Sequence, residues 1–196
     1  AAAGQAIMDR IRREHDAAVK LALSARGGTT LLDNNPALLS SVELARQIHD
    51  EGIELDLMEQ PVRKDDFEGL KFVREHCAVP VAADESCFTA DDAIRLIRMD
   101  AVDVINIKVA KCGLAAALDI AGICRAANKG LMIGCMMESK IGLAASVHLA
   151  CGLGEFAHCD LDSVYLLKPF ECKGGYTQEG PVFSVEGIEA GTGVAL

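Results

Sequence analysis

A local pattern recurs about every 25 residues along this chain, and it limits the possible folds more than any other feature. Short apolar runs end in a polar residue, pass through a loop, and give way to amphipathic stretches with apolar positions three and four apart. The strand-like runs are Thr29–Asp33, Glu54–Glu59, Val79–Asp84, Val102–Lys108, Gly130–Cys135 and Glu155–Asp160. Helix-like segments fall around 41–52, 66–77, 90–100, 114–129 and 140–152. Ser40-Ser41 and Thr89 signal helix starts, and Gly52, Pro80 and Gly130 mark ends. A further helix, "AIMDRIRREHDAAVKLALSAR", precedes the first strand and stops at Gly27-Gly28. Strands alternating with helices in this way form a parallel sheet with right-handed crossovers.

The polar residues ending successive strands are Asp33, Glu59, Asp84, Lys108 and Asp160, at separations of 26, 25, 24 and 52 residues. The missing beat falls near Cys135, just before "MMESK". An open doubly wound sheet would carry a Gly-rich fingerprint after its first strand, and the sequence has none. In a (β/α)8 barrel the C-terminal strand ends converge on one mouth, where catalytic groups sit. The expected fold is therefore α/β, a (β/α)8 TIM-type barrel, incomplete at about six βα units. Residues 1–28 would be a helix leading into the barrel and 29–172 its βα units. Residues 173–196 lose the helical period and read as hairpin or loop.

Composition narrows the function. Apolar residues make up 51% of the chain but aromatics only 4%, with 18 glycines, which suits helices packed closely on a sheet. A formal charge of −10 argues against nucleic acid as a partner. No apolar run reaches about 18 residues and no signal peptide opens the chain, so the expectation is a cytoplasmic protein without a membrane partner. The eight cysteines are scattered and form no CxxC pair, as expected of reduced core residues.

Asp33, Glu59 and Asp84 at the same end of three consecutive strands would repel one another. A hard divalent cation removes that conflict, and oxygen-only ligation favours Mg²⁺. Lys108 would lie beside the cation, with a depressed pKa suited to a general base. Any one of these charges alone would read as a solvated strand end; four in register do not. A Schiff-base aldolase also places a lysine at a barrel strand end, but it would not need the carboxylates.

The motifs "MEQPVRKDD", "VAADES", "INIKVAKCG" and "GCMMESKIG" resemble the barrel domain of the enolase superfamily, muconate-lactonizing subgroup. "CDLDS" narrows the likeness to the dipeptide epimerases of the L-Ala-D/L-Glu type. The resemblance implies an isomerase that abstracts a proton alpha to a carboxylate, with Mg²⁺ stabilising an enediolate. By motif, Glu59 and Asp84 would be metal ligands, with Asp33 of "LLDNNPALL" the first ligand. Lys108 would be one of two bases, and Asp160 and Asp162 would hold the ammonium group of a dipeptide substrate. Glu138, just after a strand end, is a further candidate on the substrate side. An N-acylamino acid racemase or a muconate cycloisomerase would share the metal site and Lys108, but their substrates offer Asp160 and Asp162 no ammonium.

Three departures accompany the likeness. An alternative register takes "VKLALSA" as the first strand and leaves Ser24 where a carboxylate belongs. "KCGL" replaces the family's "KAGG". The family's second base, in a Lys-x-Lys strand about one βα unit before the first carboxylate, has no counterpart among these residues. The capping domain that selects the substrate is not evident either, and the tail is expected to pack against it. A barrel fragment would expose strand edges, so self-association into homo-oligomers is expected, with a non-catalytic fragment as the limiting case. His148 in "ASVHLA", Met136 and Met137 read as packing residues.

Epimerisation needs a base on each face of the alpha carbon. These 196 residues alone are therefore expected not to epimerise L-Ala-L-Glu with Mg²⁺, exchanging the alpha proton from one face at most. Proton NMR in D₂O checks this, and build-up of the epimer above background would show that the second base is dispensable.

Overall fold

The computed structural model describes residues 36–168 and 171–195. Asp33, the strand Thr29–Asp33, the leading helix and the Ser24 register all lie outside the described residues. Five parallel strands form one sheet: β1 (Met58–Glu59), β2 (Val81–Ala83), β3 (Val104–Ile107), β4 (Gly130–Gly134) and β5 (Phe156–Asp160), neighbours in chain order. Helix α1 (Pro36–Asp50) precedes β1. The crossovers are α2 (Phe67–His76), α3 (Ala90–Arg98), α4 (Val109–Ala126) and α5 (Lys140–Leu153). A parallel α/β half-barrel results, with its strands in the order the sequence indicates.

Strand alternation divides the side chains into two layers. Val81, Ala83, Ile105, Ile107, Leu131 and Ile133 join the main core with Leu70, Val73, Leu96, Ile120, Leu143 and Val147 of the helices. Ala82, Val104 and Met132 form a separate cluster with Leu57 on the other, inner face. That parity decides which strand-end residues turn inward.

Several boundaries differ from the sequence expectation. Among the described residues helix α1 runs from Pro36, a turn before Ser40-Ser41, and a proline is well tolerated in a first helical turn. Ser41 is thereby inside the helix, where its Oγ donates to Pro61 O at 2.9 Å. Thr89 caps α3 as expected, in a reciprocal capping box with Asp92. Gly113, at φ 76°, breaks α4 after its first turn, so the continuous helix begins at Leu114. Asn128, at φ 54°, makes the left-handed turn after α4, and Gly130 opens β4 instead. All eight cysteines are free; Cys87 and Cys124 are buried, whereas Cys151 and Cys159 are exposed, contrary to the core expectation. No described helix is long and apolar enough to cross a membrane.

The tail forms an antiparallel hairpin, β6 (Thr177–Glu179) with β7 (Val182–Ser184). Tyr176 is buried in the main core against Phe183, with the Lys140 ammonium 5.1 Å from its ring centroid. Nε2 of His148 lies 2.8 Å from Gly175 O, so this histidine pins the tail to α5.

At the N-terminal ends of the strands, Asp103 ties α2 to the sheet. Its carboxylate accepts from Arg74 Nε at 2.7 Å and from the Val81 backbone N–H at 3.0 Å. Asp103→Ala leaves both donors unpaired and is expected to cost about 1–3 kcal/mol in urea unfolding. Asp65→Ala, which removes an exposed pair with Arg63, should cost clearly less, because an exposed pair is screened by solvent. Equal costs would show that Asp103 does not hold the sheet end.

Candidate active site

Ala82 and Val104 face the inner surface, and alternation carries Asp84, Asn106 and Lys108 to the same side. There Lys108 Nζ donates to Asp84 Oδ2 at 2.6 Å, and Asn106 Nδ2 donates to Glu59 Oε1 at 2.5 Å. Gly134 of β4 pairs with Asp160 of β5, and the Asp160 charge acts on Glu59. The structure thus brings together Glu59, Asp84, Lys108 and Asp160. Asp162 is exposed, with Cys135 Sγ 4.0 Å from its Oδ1. Glu138 folds back on its own loop: Oε1 accepts from the Met136 N–H at 3.0 Å, and its backbone carbonyl accepts from Ser163 Oγ at 3.1 Å.

Glu59 and Asp84 respond to this site in opposite ways. Burial works against the charge of Asp84, but the hydrogen bonds and charges of Lys108 and Lys111 outweigh it and hold its carboxyl below the usual aspartate value. Glu59 is raised, first by desolvation and then by the charges of Asp84 and Asp160, which the Asn106 hydrogen bond and Lys108 only partly offset. Desolvation also opposes the charge of Lys108, yet Asp84, Glu59 and Glu85 together hold its pKa above the ordinary lysine value. The depressed pKa expected beside a cation is therefore reversed while Lys108 is paired with Asp84.

Lys111 lies just beyond β3 and is not among the site residues that the sequence indicates. In the structure its side chain is 4% exposed, and its three ammonium hydrogens meet Asp84 Oδ1 at 2.5 Å, Asp84 O at 2.6 Å and Asn106 O at 3.3 Å. Lys108 makes one described hydrogen bond and its side chain is 13% exposed. One lysine is locked and the other can leave. Gly134 was also overlooked: a Cβ there would lie 2.7 Å from Asn106 Oδ1 and 2.8 Å from Lys108 Cε. Only glycine lets those two side chains cross β4. Parity with Lys108 could have pointed to Asn106, whereas nothing in the sequence marked Lys111 or Gly134.

Among the described residues, no group of three or more His, Cys, Asp or Glu side chains could hold a metal ion; Asp33, the third expected ligand, lies outside them. The donors present still fit a hard cation. Glu59 and Asp84 offer oxygen from adjacent strands, and their mutual repulsion is the kind a divalent ion relieves. Asn106 Oδ1, buried beside them, has no hydrogen-bond partner among the described residues.

Removing Lys111 strands two carbonyls and half of a buried ion pair, whereas removing Lys108 vacates one oxygen. Lys111→Met should cost about 2–4 kcal/mol in urea unfolding in EDTA, and Lys108→Met clearly less. The reverse order would mean that the locked and mobile roles are exchanged.

Comparison with known proteins agrees with this geometry. The model of the enolase C-terminal domain-like family matches residues 5–196. The L-Ala-D/L-Glu epimerase of Thermotoga maritima is 42% identical over 180 residues, covering 91% of this chain and 52% of that protein. A mandelate racemase/muconate lactonizing enzyme from Roseiflexus sp. superposes with a TM-score of 0.78 at 46% identity, covering 81% of this chain and 46% of that one. The dipeptide epimerase of Enterococcus faecalis V583, complexed with Mg and the dipeptide L-Leu-L-Tyr, gives a TM-score of 0.75 at 38% identity, covering 81% and 45%. The chain spans about half the length of the curated relatives it matches. With a family match over almost its whole length and a parallel half-barrel carrying acid and lysine residues at its strand ends, the chain belongs to the enolase C-terminal domain-like family.

Proposed function

We propose that this chain is the barrel part of a Mg²⁺-dependent dipeptide epimerase. The observation that carries the reading is the Lys108 ammonium on Asp84, with Glu59 alongside and the Asp160 charge acting on Glu59. In this reading the five-stranded half-barrel is most of a (β/α)8 barrel, with Asp33, Glu59 and Asp84 holding the ion. Mg²⁺, when bound, supplies positive charge against the substrate carboxylate. With Asp84 Oδ2 engaged as a ligand, Lys108 would lose the partner that holds it charged, and as the neutral amine it would take the alpha proton from one face. Epimerisation also needs a base on the opposite face of the alpha carbon, a role that Lys108 cannot fill as well.

Asp160 and Asp162 are both exposed, as groups receiving a free ammonium must be. The strand ends at Asp160 and Asp162 opens the following turn, with Leu161 buried between them, so two solvent-facing acceptors stand close in sequence where one cation can meet both. This favours a dipeptide over the uncharged or acylated nitrogen of the racemase and cycloisomerase alternatives. Glu138 belongs to the substrate side in the same reading, once released from its loop. Self-association and a cytoplasmic location complete it.

In the complete enzyme, Lys108→Ala should slow alpha-proton exchange from one substrate enantiomer by about 10²–10⁴-fold, leaving exchange from the other enantiomer and Mg²⁺ affinity largely intact. Deuterium incorporation measured separately for each enantiomer checks this. Unchanged exchange from both would exclude Lys108 as a base.

A further inference from the structure

Gln60 sits between Glu59 and a proline in a conformation side chains rarely adopt, at φ 41°. Its backbone N–H still donates to Ala82 O at 2.9 Å, extending the β1–β2 pairing past Glu59. The side chain then crosses to the loop after β2. Oε1 accepts from the backbone N–H groups of Asp84 at 2.9 Å and of Ser86 at 3.1 Å. Nε2 donates to Ser86 Oγ at 2.8 Å and to Val62 O at 3.1 Å. The amide thereby makes four hydrogen bonds, two through its oxygen and two through its nitrogen. Ser86, buried at 3% exposure, passes the link on by donating to Lys64 O at 2.8 Å.

These bonds join the loop that follows Glu59 to the peptide that carries Asp84. We propose that Gln60 is a positioning residue that sets the separation of the Glu59 and Asp84 carboxylates, and that its left-handed backbone is retained for that purpose. The inference rests on the reading of those two carboxylates as cation ligands. Gln60 itself touches neither substrate nor ion in this account. It acts through the Asp84 N–H and through the chain direction that its own φ imposes just after Glu59. The residue is uncharged, so replacing it does not alter the electrostatic attraction of a cation.

The test separates positioning from simple stability. Glycine occupies φ 41° without a Cβ penalty, whereas alanine does not. Gln60→Gly should therefore unfold at a higher temperature than Gln60→Ala, while both lose the latch. Mg²⁺ is titrated calorimetrically into the metal-stripped 196-residue chain and into both variants. Both should bind Mg²⁺ at least about tenfold more weakly, the effect usual for groups that orient metal ligands. If Gln60→Gly instead regains wild-type affinity along with its stability, the positioning role is overturned. If the wild-type chain itself binds no Mg²⁺, the metal reading fails, and amide hydrogen exchange of the stripped proteins decides the latch. Faster exchange at Asp84 and Ser86 in both variants, with β3 unchanged, would support it; unchanged exchange at those two amides would overturn it.

Discussion

Asp84 is 4% exposed, and an isolated carboxylate buried that deeply would give up its charge. It keeps the charge because each oxygen meets a different lysine, Oδ1 taking Lys111 and Oδ2 taking Lys108. Much of the mouth follows from satisfying this one group. Lys111 needs acceptors for its remaining hydrogens, so the Asp84 and Asn106 carbonyls turn toward it. Asn106, fixed by its backbone, sends its amide to Glu59. Gly134 keeps the space clear for Asn106 and Lys108 to lie across β4. A buried ion pair is weak evidence of stability in itself, but here it forces a set of neighbours into register.

The two lysines also show how one motif can divide its work. Lys108 leaves β3 by continuing the strand's inward parity. Lys111 reaches the same carboxylate from the first turn of α4, before Gly113 interrupts that helix. That turn lets a residue three positions later come back over the strand end. With its hydrogens saturated and its ammonium 5.4 Å from the Phe88 ring centroid, Lys111 has little reason to move. Lys108 makes one side-chain hydrogen bond among the described residues and is the more open of the two to solvent, as its proposed proton-transferring role requires.

The sequence was most legible where physics acts locally. The 25-residue period identified the five strands of the parallel sheet and their order, because a parallel half-barrel buries apolar strands between amphipathic helices. Strand lengths were overestimated: β1 is two residues although Glu54–Glu59 reads as extended, since pairing stops where the next strand no longer runs alongside. The turn of α1 before Ser40 was missed because the serines were read as the start signal. At the site, strand-end polarity identified Glu59, Asp84, Lys108 and Asp160. Gln60, Lys111 and Gly134 stayed hidden because their roles depend on contacts between segments about 20 or more residues apart, which no periodicity encodes.

The site keeps Glu59 and Asp84 in unequal states, and the linkage signs separate them. Asp84, held below its usual value, contributes stability that is present above its unfolded pKa and is lost as pH falls through its folded pKa. Glu59, held above its usual value, does the opposite: its ionised form opposes folding, and that opposition is relieved as pH falls through its raised folded pKa. Acidification therefore neutralises Glu59 first, removing its repulsion of Asp84 and Asp160 while the Asp84 ion pairs persist. Only at lower pH does Asp84 protonate and release both lysines. A fold selected only for stability would have no reason to keep Glu59 charged against two other carboxylates, and a glutamine there could still accept the Asn106 hydrogen bond. In the proposed reading a bound cation would meet that charge, with Gln60, Asn106 and Lys111 holding the backbone and side chains around the two carboxylates.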